Sequence, residues 1–419
     1  MAYDLAGARA GEVLGTALAI KMVAYVGLGP VAGALAAKLP RKAFLICLDL
    51  ARAGLILLLP FVTQVWQIYV LVFLFQACSA CFTPTFQATI PDVLKDERAY
   101  TKALSLSRLA YDLESLVSPL FAGLLLSVMS FHWLFVGTGI GFVASALLVT
   151  AAAVPTADPS APERPFRERL TRGLKIYLRT PRLRGLFALS LAVSSAGAMV
   201  IVNSVIYARD LLGGGEREVA WLFAAYGLGS MAVALAMPPL LDRIRPRTAM
   251  IGGASLLALA LPLGAMTPGA GWLHALWTTL GVGSALIMTP AGLILRQSSH
   301  AEDRPPVFAA QFALSHAWWL LAYPAAGWLG TTLGLGSSFL ALTGGVVLGL
   351  IGAALLWPAD DPEEIEHEHS GGVHAHRHPD RRHHDEGAAI WREDGSHVHR
   401  PIRHRHRYVI DDHHPEWPR

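Results

Sequence analysis

Long apolar runs, each about 18 to 25 residues in length, recur along most of this 419-residue chain. An α-helix needs about 20 apolar residues to cross a hydrocarbon layer of roughly 30 Å. Charged residues make up only 16% of the chain and its mean hydropathy is +0.43, values that an ordinary soluble domain seldom shows. The sequence therefore predicts an all-α integral membrane protein.

The apolar runs predict about eleven membrane-spanning helices. They cover residues 11–35, 44–62, 67–89, 103–129, 131–154, 186–207, 219–240, 248–266, 273–295, 307–329 and 335–357. Lys and Arg are concentrated in the loops on one side of these helices, among them the long basic stretch of residues 164–184. Because cytoplasmic loops carry the excess of positive charge, that side and the tail after Trp357 are predicted to face the cytoplasm of a cell (inner) membrane.

The two halves of the membrane part repeat each other at an offset of about two hundred residues. In this repeat "GALAAKLPRK" aligns with "PPLLDRIRPR", and "FTPTFQ" aligns with "MTPAGL". The same register pairs Tyr3 with Tyr207, which closes a complete spanning helix, so two six-helix bundles would need a first helix that this sequence lacks. The predicted parts are a first bundle, a basic cytoplasmic linker, a second bundle and a His-rich tail, in residues 1–154, 155–185, 186–357 and 358–419.

Two six-helix halves, a basic central loop and a basic turn after the second helix resemble the major facilitator superfamily of secondary transporters. That family's Gly-x-x-x-Asp-Arg turn helps to lock the inward gate; here Ala37 stands where the acid is expected, whereas the second half keeps Asp242 and Arg243. The resemblance implies alternating access with a gating role for Asp242 and Arg243. Asp49 and Arg52, three residues apart near the end of their helix, are further candidates for gating or for a structural ion pair.

Two segments resemble one branch of the family more closely. "FTPTFQATIPDVL" and "ALSLSRLAYDLESLVSPLFAG" look like the efflux branch that includes macrolide and siderophore exporters. The His-rich tail is similar to that of the nickel-resistance exporters in this branch. The resemblance implies an efflux function.

Titratable residues inside the predicted spans are the candidates for energy coupling. The glycines at 213–215 are not followed by the Lys-Ser/Thr of a phosphate-binding loop, so the sequence predicts no ATP-hydrolysing enzyme and favours an ion gradient, most simply of protons. Proton coupling requires titratable groups within the bilayer. The candidates for transport and proton coupling are Lys21, Arg108, Asp112, Glu114 and His316.

These candidates admit two interpretations. Arg108 and Asp112 share a helix face because they are four residues apart, and Glu114 points elsewhere; Asp112 and Glu114 are the best candidates to carry a proton or cation. The alternative is that Arg108 pairs with Asp112, and Lys21 with Glu114, only to hold the bundle together. His316 can bind a metal or relay a proton beside a transport path, or it can be an ordinary core histidine.

Thirteen of the 17 histidines lie in the tail, which lacks apolar runs and is predicted to be disordered without a ligand. His-x-His spacing in an extended chain sends both imidazoles to one side, and neutral imidazole favours Ni, Co, Zn and Cu(II). The alternative is a solubilising tail whose arginines contact anionic lipid. The predicted metal ligands are His367, His369, His374, His376, His378, His383, His384, His397, His399, His404, His406, His413 and His414.

Together these features favour proton-coupled efflux, by antiport, of a divalent transition metal, nickel or cobalt first and zinc next. The tail would collect the metal, and no cofactor is expected apart from transition metal ions as substrate or tail ligand. Expected partners are membrane lipid, the metal or small-molecule substrate, and protons, with no nucleic acid. The alternatives are efflux of a drug or siderophore-like organic compound, which would require an aromatic, roomy cavity and a dispensable tail, or a membrane metal sensor that transports nothing.

Overall fold

The computed structural model describes residues 10–36, 38–126, 129–155, 165–208, 213, 216–266, 269–361, 364–369, 373–374, 389–391, 397–399, 402–412 and 414–418. Its first half contains the helices α1 (Ala10–Ala36), α2 (Arg41–Leu58), α3 (Val65–Val93), α4 (Glu97–Leu126) and α5 (Phe131–Ala151). A linker helix, α6 (Phe166–Arg179), follows. The second half contains α7 (Pro181–Ile206), α8 (Glu216–Leu241), α9 (Pro246–Ala260), α10 (Ala270–Met288), α11 (Ala291–Gln297), α12 (Arg304–Thr332) and α13 (Leu335–Leu356).

The helices occupy all of the predicted spans, which confirms the all-α membrane fold. In the part of the chain that the structure describes, nine helical segments are long and apolar enough to cross a membrane. The two predicted spans outside that set are α4 and α12. Their interiors carry polar groups, Arg108 and Asp112 in α4 and His316 in α12. These two spans hold most of the candidate transport residues.

The two halves meet mainly along two helix pairs, α1 with α12 and α4 with α8, and also where α3 packs against α12. The α1–α12 contact is close because α1 presents glycines to it. A Cβ atom added at Gly29 would lie 2.9 Å from the Cβ of Ala313, and one added at Gly33 would lie 2.8 Å from the Cα of Pro306. Small residues at this spacing allow helix backbones to approach within a membrane.

The first helix of the second half begins at Pro181, five residues before the start of the predicted span. Proline is favoured in the first turn of a helix. Arg182 lies in that turn with a side chain that is only 4% exposed, and it pairs with Asp361 at 3.2 Å. This ion pair neutralises the charge of Arg182, a residue that the sequence interpretation assigned to the linker. The linker also contains α6, which packs against α12 and α1.

The tail, for which the sequence predicts disorder in the absence of a ligand, contains five short strands among its described residues. Strand β1 (Glu364–His369) pairs antiparallel with β5 (Ile402–Arg407), with His367 opposite His404. The short strand β4 (His397–His399) pairs with β2 (Val373–His374) and β3 (Ala389–Trp391). After β5 the chain buries Tyr408, Val409 and Ile410. Composition predicted disorder because these few apolar residues are outweighed by His and Arg in the average.

Candidate transport site and gate

The first part of the candidate site is an ion pair on α4 that reaches across to the second half. The Nη2 atom of Arg108 lies 2.9 Å from Oδ1 of Asp112, and its Nε atom donates to Oδ2 of Asp112 at 3.2 Å and to Oγ of Ser230 on α8 at 2.9 Å. The side chains of Arg108 and Asp112 are 9% and 3% exposed. The buried carboxylate of Asp112 is thus paired with Arg108, which also binds Ser230 of the second half.

The second part of the site lies between α1 and α12. The Tyr25 ring contacts the rings of His316 and Phe312, with centroids 4.8 Å and 4.9 Å away, and Nζ of Lys21 lies 5.6 Å from the Tyr25 centroid. Nδ1 of His316 is 2.7 Å from the carbonyl oxygen of Phe312. Because a carbonyl only accepts, a neutral His316 carries its proton on Nδ1 and leaves Nε2 as an acceptor.

Lys21 and Glu114 do not form the pair that the structural alternative required. Lys21 is half-buried, lies near His316, and has no ion-pair partner among the described residues. Glu114 has an exposed side chain. That alternative is therefore wrong for Lys21 and Glu114, whereas Arg108 and Asp112 do pair. The structure leaves one ammonium group between the halves beside aromatic rings.

Four tyrosines connect these two parts, and the sequence interpretation missed them. Tyr111 lies near Tyr25 and Tyr323, and Tyr226 lies near Arg108 and hydrogen-bonds Ser284. The signal was present, since a hydroxyl-bearing ring in the middle of an apolar span requires a polar partner. The region between the two parts of the site is consequently lined by aromatic rings and hydroxyl groups, and it does not resemble a site of carboxylate oxygens for a hard metal ion.

Asp49 and Arg52 lie inside the first half. Asp49 is fully buried and bonded to Arg52, whose guanidinium carbon lies 4.0 Å from the Phe82 centroid and 4.6 Å from the Phe142 centroid. These rings belong to α3 and α5, so the pair joins three helices of one half and does not cross between halves. The geometry fits the structural alternative better than a gating role.

Asp92, which the sequence interpretation missed, forms the strongest contact between the halves at the tail-side end of the bundle. This is the end at which α13 finishes and the tail begins. The carboxylate of Asp92, in the last turn of α3, accepts from Arg41 at the start of α2 and from Arg304 at the start of α12. The side chains of Asp92, Arg41 and Arg304 are 10%, 7% and 16% exposed. Arg41 also donates to the carbonyl oxygen of Ala301 at 3.4 Å.

The predicted gate residues form a weaker contact. Oδ1 of Asp242 lies 3.6 Å from Nε of Arg98 on α4, and the two side chains are 56% and 80% exposed, so solvent screens this pair. Arg243 is exposed. Nearby, Arg296 donates to the carbonyl oxygen of Lys95. The pairs Arg98–Asp242, Arg296–Lys95 and Arg304–Asp92 join the halves at the tail-side end. We name the Arg41–Asp92–Arg304 cluster the tail-side gate.

Most of the predicted tail ligands cannot be compared with the structure. His376, His378, His383, His384 and His413 lie outside the described residues. The structure describes only the backbone of seven further predicted ligands, which are His367, His369, His374, His397, His399, His404 and His406. His414 is buried, with Nδ1 2.9 Å from Oδ1 of Asp411. Among the described residues no group of three His, Cys, Asp or Glu side chains is arranged to hold a metal.

Comparison with known proteins identifies one matching family. The family model described as Major Facilitator Superfamily matches residues 8–213 and 187–405. A curated relative, the uncharacterized MFS-type transporter YfiS of Bacillus subtilis (strain 168), is 24% identical over 211 residues. This match covers 49% of the chain and 50% of the relative, so the chain spans about half the length of that relative.

Solved structures share the helical architecture over most of the chain. The E. coli fucose:proton symporter FucP superposes with a TM-score of 0.65 at 16% identity, over 83% of this chain and 91% of that one. The human organic anion transporter MFSD10 (TETRAN) superposes with a TM-score of 0.67 at 14% identity, over 82% of this chain and 83% of that one. At such identities the likeness establishes the arrangement of the helices.

Proposed function

Because the chain belongs to the Major Facilitator Superfamily, a family of membrane transporters, we propose that it exports an organic anion in exchange for protons. The substrate would bind between the halves, which would open to the two sides of the membrane in turn. We place the tail in the cytoplasm of the cell (inner) membrane, as the distribution of Lys and Arg favours. Export then moves substrate away from the tail side.

The observation that carries this proposal is Lys21. An ionised Lys at the centre of a spanning helix costs about 3 kcal/mol on insertion scales, and no carboxylate among the described residues pairs with Lys21. A substrate anion would supply the missing charge. Tyr25, Phe312 and His316 provide ring faces beside the ammonium group, and such walls bind organic molecules. The same ammonium group would repel a bare divalent cation.

Asp112 is the group that we assign to the proton. When it is ionised, it holds Arg108, and Arg108 bonds Ser230 of the second half. Protonation would remove the negative charge from this pair and leave Arg108 free to change partners. Proton binding would thereby change the contact between α4 and α8, which is one of the main contacts between the halves. His316 offers a second acceptor, Nε2, beside Lys21.

Opening at the tail side would require the tail-side gate to break. Arg304 is the only member of the gate cluster from the second half, so its separation from Asp92 would part α12 from α3. Removal of one partner from a buried ion pair leaves an uncompensated charge and is costly. The gate would therefore open only when substrate or protons supply compensating interactions elsewhere.

A second candidate, supported by the tail, is export of a divalent transition metal, nickel or cobalt first and zinc next. The pairing of β1 with β5 sets His367 opposite His404 in register, and His is a preferred ligand of these metals. A siderophore-like anionic chelate would suit both Lys21 and the tail histidines. A site between two halves favours transport over a sensor that transports nothing.

The test is accumulation in inverted membrane vesicles with and without an imposed pH gradient. The probes are free nickel, cobalt and zinc ions, and labelled carboxylate and hydroxamate anions, alone and as metal chelates. Gradient-dependent accumulation of an anion or chelate, lost in Lys21→Gln, would support the first candidate. Accumulation of the free metal that survives Lys21→Gln would support the second and contradict the first.

A further inference from the structure

The last described residues of the chain fold back onto the tail-side end of the bundle. We name residues 408–412 and 414–418 the C-terminal latch. Tyr408, Val409 and Ile410 are 6%, 4% and 3% exposed, and the Tyr408 hydroxyl donates to the carbonyl oxygen of Glu416 at 2.7 Å. The Tyr408 and Trp417 rings meet with centroids 5.2 Å apart. The latch is thus a compact turn with its own apolar contacts.

Three arginines of the linker helix and of α7 hold the latch. Nη1 of Arg172 donates to Oδ1 of Asp412, and Nη1 of Arg179 donates to the carbonyl oxygen of Pro415, both at 2.9 Å. The guanidinium carbon of Arg182 lies 5.2 Å from the Trp417 ring centroid. The latch therefore binds the linker and the second half at once.

A carboxylate between two imidazoles adds a further contact. Oδ2 of Asp411 lies 3.3 Å from Nε2 of His300, in the loop before α12, and Oδ1 lies 2.9 Å from Nδ1 of His414. Asp411 also accepts from the backbone N–H of His414 at 2.7 Å. Asp303 and Glu302 of the same loop add negative charge near His300. Docking of the latch is therefore an electrostatic contact as well as an apolar one.

The latch is connected to the tail-side gate through adjacent residues. Arg172 binds Asp412 of the latch and, with Nη2 at 2.8 Å from Oδ2, Asp303. Asp303 directly precedes Arg304, which binds Asp92. We propose that the docked C-terminal latch holds the tail-side gate shut and must loosen for the gate to open. This inference rests on the alternating access of the proposed function and is independent of the substrate.

The packing beneath the latch explains how it can act at that distance. Gly173 of α6 is so close to Pro306 of α12 that an added Cβ would overlap its carbonyl group, and Gly33 of α1 approaches the same proline. While Arg172 fixes α6 to Asp303, the first turn of α12 is held against α1. A force that separates α12 from α1 and α3 must also strain the contacts of α6 with the latch.

The experiment measures access to the gate without any substrate. Thr89 is 5% exposed and lies one turn before Asp92, so a cysteine there reports opening at the tail side. The full-length protein, with Cys47, Cys78 and Cys81 replaced and Thr89→Cys introduced, is reacted with a water-soluble maleimide. The same measurement is made after truncation following Arg407, and in the full-length double variant Asp411→Asn, Asp412→Asn, which guards against misfolding of the truncated chain.

We expect labelling about tenfold faster in the truncated protein, a change within the usual range of coupling between sites, and severalfold faster in the double variant. Glu416→Gln is the matched control, because the exposed Glu416 contributes only its backbone carbonyl to the latch, and its labelling rate should stay unchanged.

Asp92→Asn is the positive control. Faster labelling in Asp92→Asn with no change in the truncated and double variants would overturn the latch while leaving the gate intact. An unchanged rate in Asp92→Asn as well would overturn the gate itself.

Discussion

Arg304, the first residue of α12, binds Asp92 in the last turn of α3 across the boundary between the two halves. Arg41 binds the same carboxylate from the first half. One acidic side chain therefore serves two cations, and a single substitution releases both. This makes the tail-side gate the most sensitive place to alter the balance between the closed and open states.

Asp92→Asn should shift the protein toward the state that is open at the tail side. Loss of the negative charge removes the attraction for Arg304 and leaves this partly buried cation without its partner. We expect the open population to rise by about tenfold, which corresponds to about 1.4 kcal/mol. Spin-label distances between the ends of α3 and α12 measure this population. Asp242→Asn, which removes an exposed and solvent-screened pair, is the control, and an equal effect of both substitutions would refute the special role of Asp92.

Lys21→Gln should weaken binding of an anionic substrate by about ten- to a hundredfold, because a charge-assisted contact within the membrane is lost. The same substitution should leave the fold at least as stable, since an ionised Lys in a spanning helix is itself unfavourable. Binding is measured by titration of the purified protein, and stability by thermal unfolding. Lys102→Gln is the control, because Lys102 is exposed. Tighter binding of free nickel in Lys21→Gln would instead support the metal as substrate.

Asp112→Asn should uncouple transport from the pH gradient. The amide can still accept from Arg108, so the geometry is retained while the titrating group is gone. We expect accumulation driven by the gradient to be lost, while exchange of labelled for unlabelled substrate continues. Glu114→Gln should change neither rate more than about twofold, a small effect typical of exposed positions. The reverse pattern would assign the proton to Glu114.

The spans and the two halves could be predicted because apolar length is a local property of the sequence. The gate could not be predicted in this way, since Asp92 lies 51 residues from Arg41 and 212 residues from Arg304. Only the packing of α3 against α12 brings them together. For the same reason the suggested pair of Lys21 and Glu114 was wrong, because a position within a helix does not reveal which helices are neighbours.

The four-residue spacing of Arg108 and Asp112 was informative because it is fixed within one helix. The tail shows the opposite case. A prediction of disorder averages over composition, and the average hides Tyr408, Ile410 and Trp417, which pack against the membrane part of the molecule. A few apolar residues at the end of a charged segment are enough when a surface is available to receive them.

Gly33→Ala should impair closure at the tail side. The methyl group of the new alanine would lie 2.8 Å from the Cα of Pro306 and 2.9 Å from the Cβ of Ala309, both on α12. The backbone of α12 would have to move, so we expect transport to fall about tenfold and Thr89→Cys to label faster, as overpacking of a close contact costs about 1 to 3 kcal/mol. Gly27→Ala is a matched control on the same helix, because an added Cβ there meets nothing within 4 Å. Equal effects of the two substitutions would contradict the role of this contact.

Docking of the C-terminal latch should weaken both at high pH, where His300 loses its proton, and at low pH, where Asp411 gains one. Burial lowers the pKa of His300, but the hydrogen bond and the charge of Asp411 outweigh it, so the pKa lies above its ordinary value of 6.5. Stability from protonated His300 is therefore fully present below 6.5 and is lost as the pH rises through the raised pKa. Burial raises the pKa of Asp411, but hydrogen bonds from His300 and His414 outweigh it, so the pKa lies below 3.8. Stability from ionised Asp411 is present above 3.8 and is lost as the pH falls through the lowered pKa.

Amide hydrogen exchange at Val409 and Ile410, corrected for the intrinsic rate, should accordingly be slowest between pH 3.8 and 6.5. His300→Ala should abolish the increase in exchange rate that accompanies a rise in pH above 6.5, because the imidazole that binds Asp411 and loses its proton there is gone. His274→Ala removes a histidine that also lies near a carboxylate, Glu218 at 3.5 Å, but at the opposite end of the bundle, and should leave the profile unchanged. An exchange profile of the latch that is flat across this range would show that apolar contacts alone hold it.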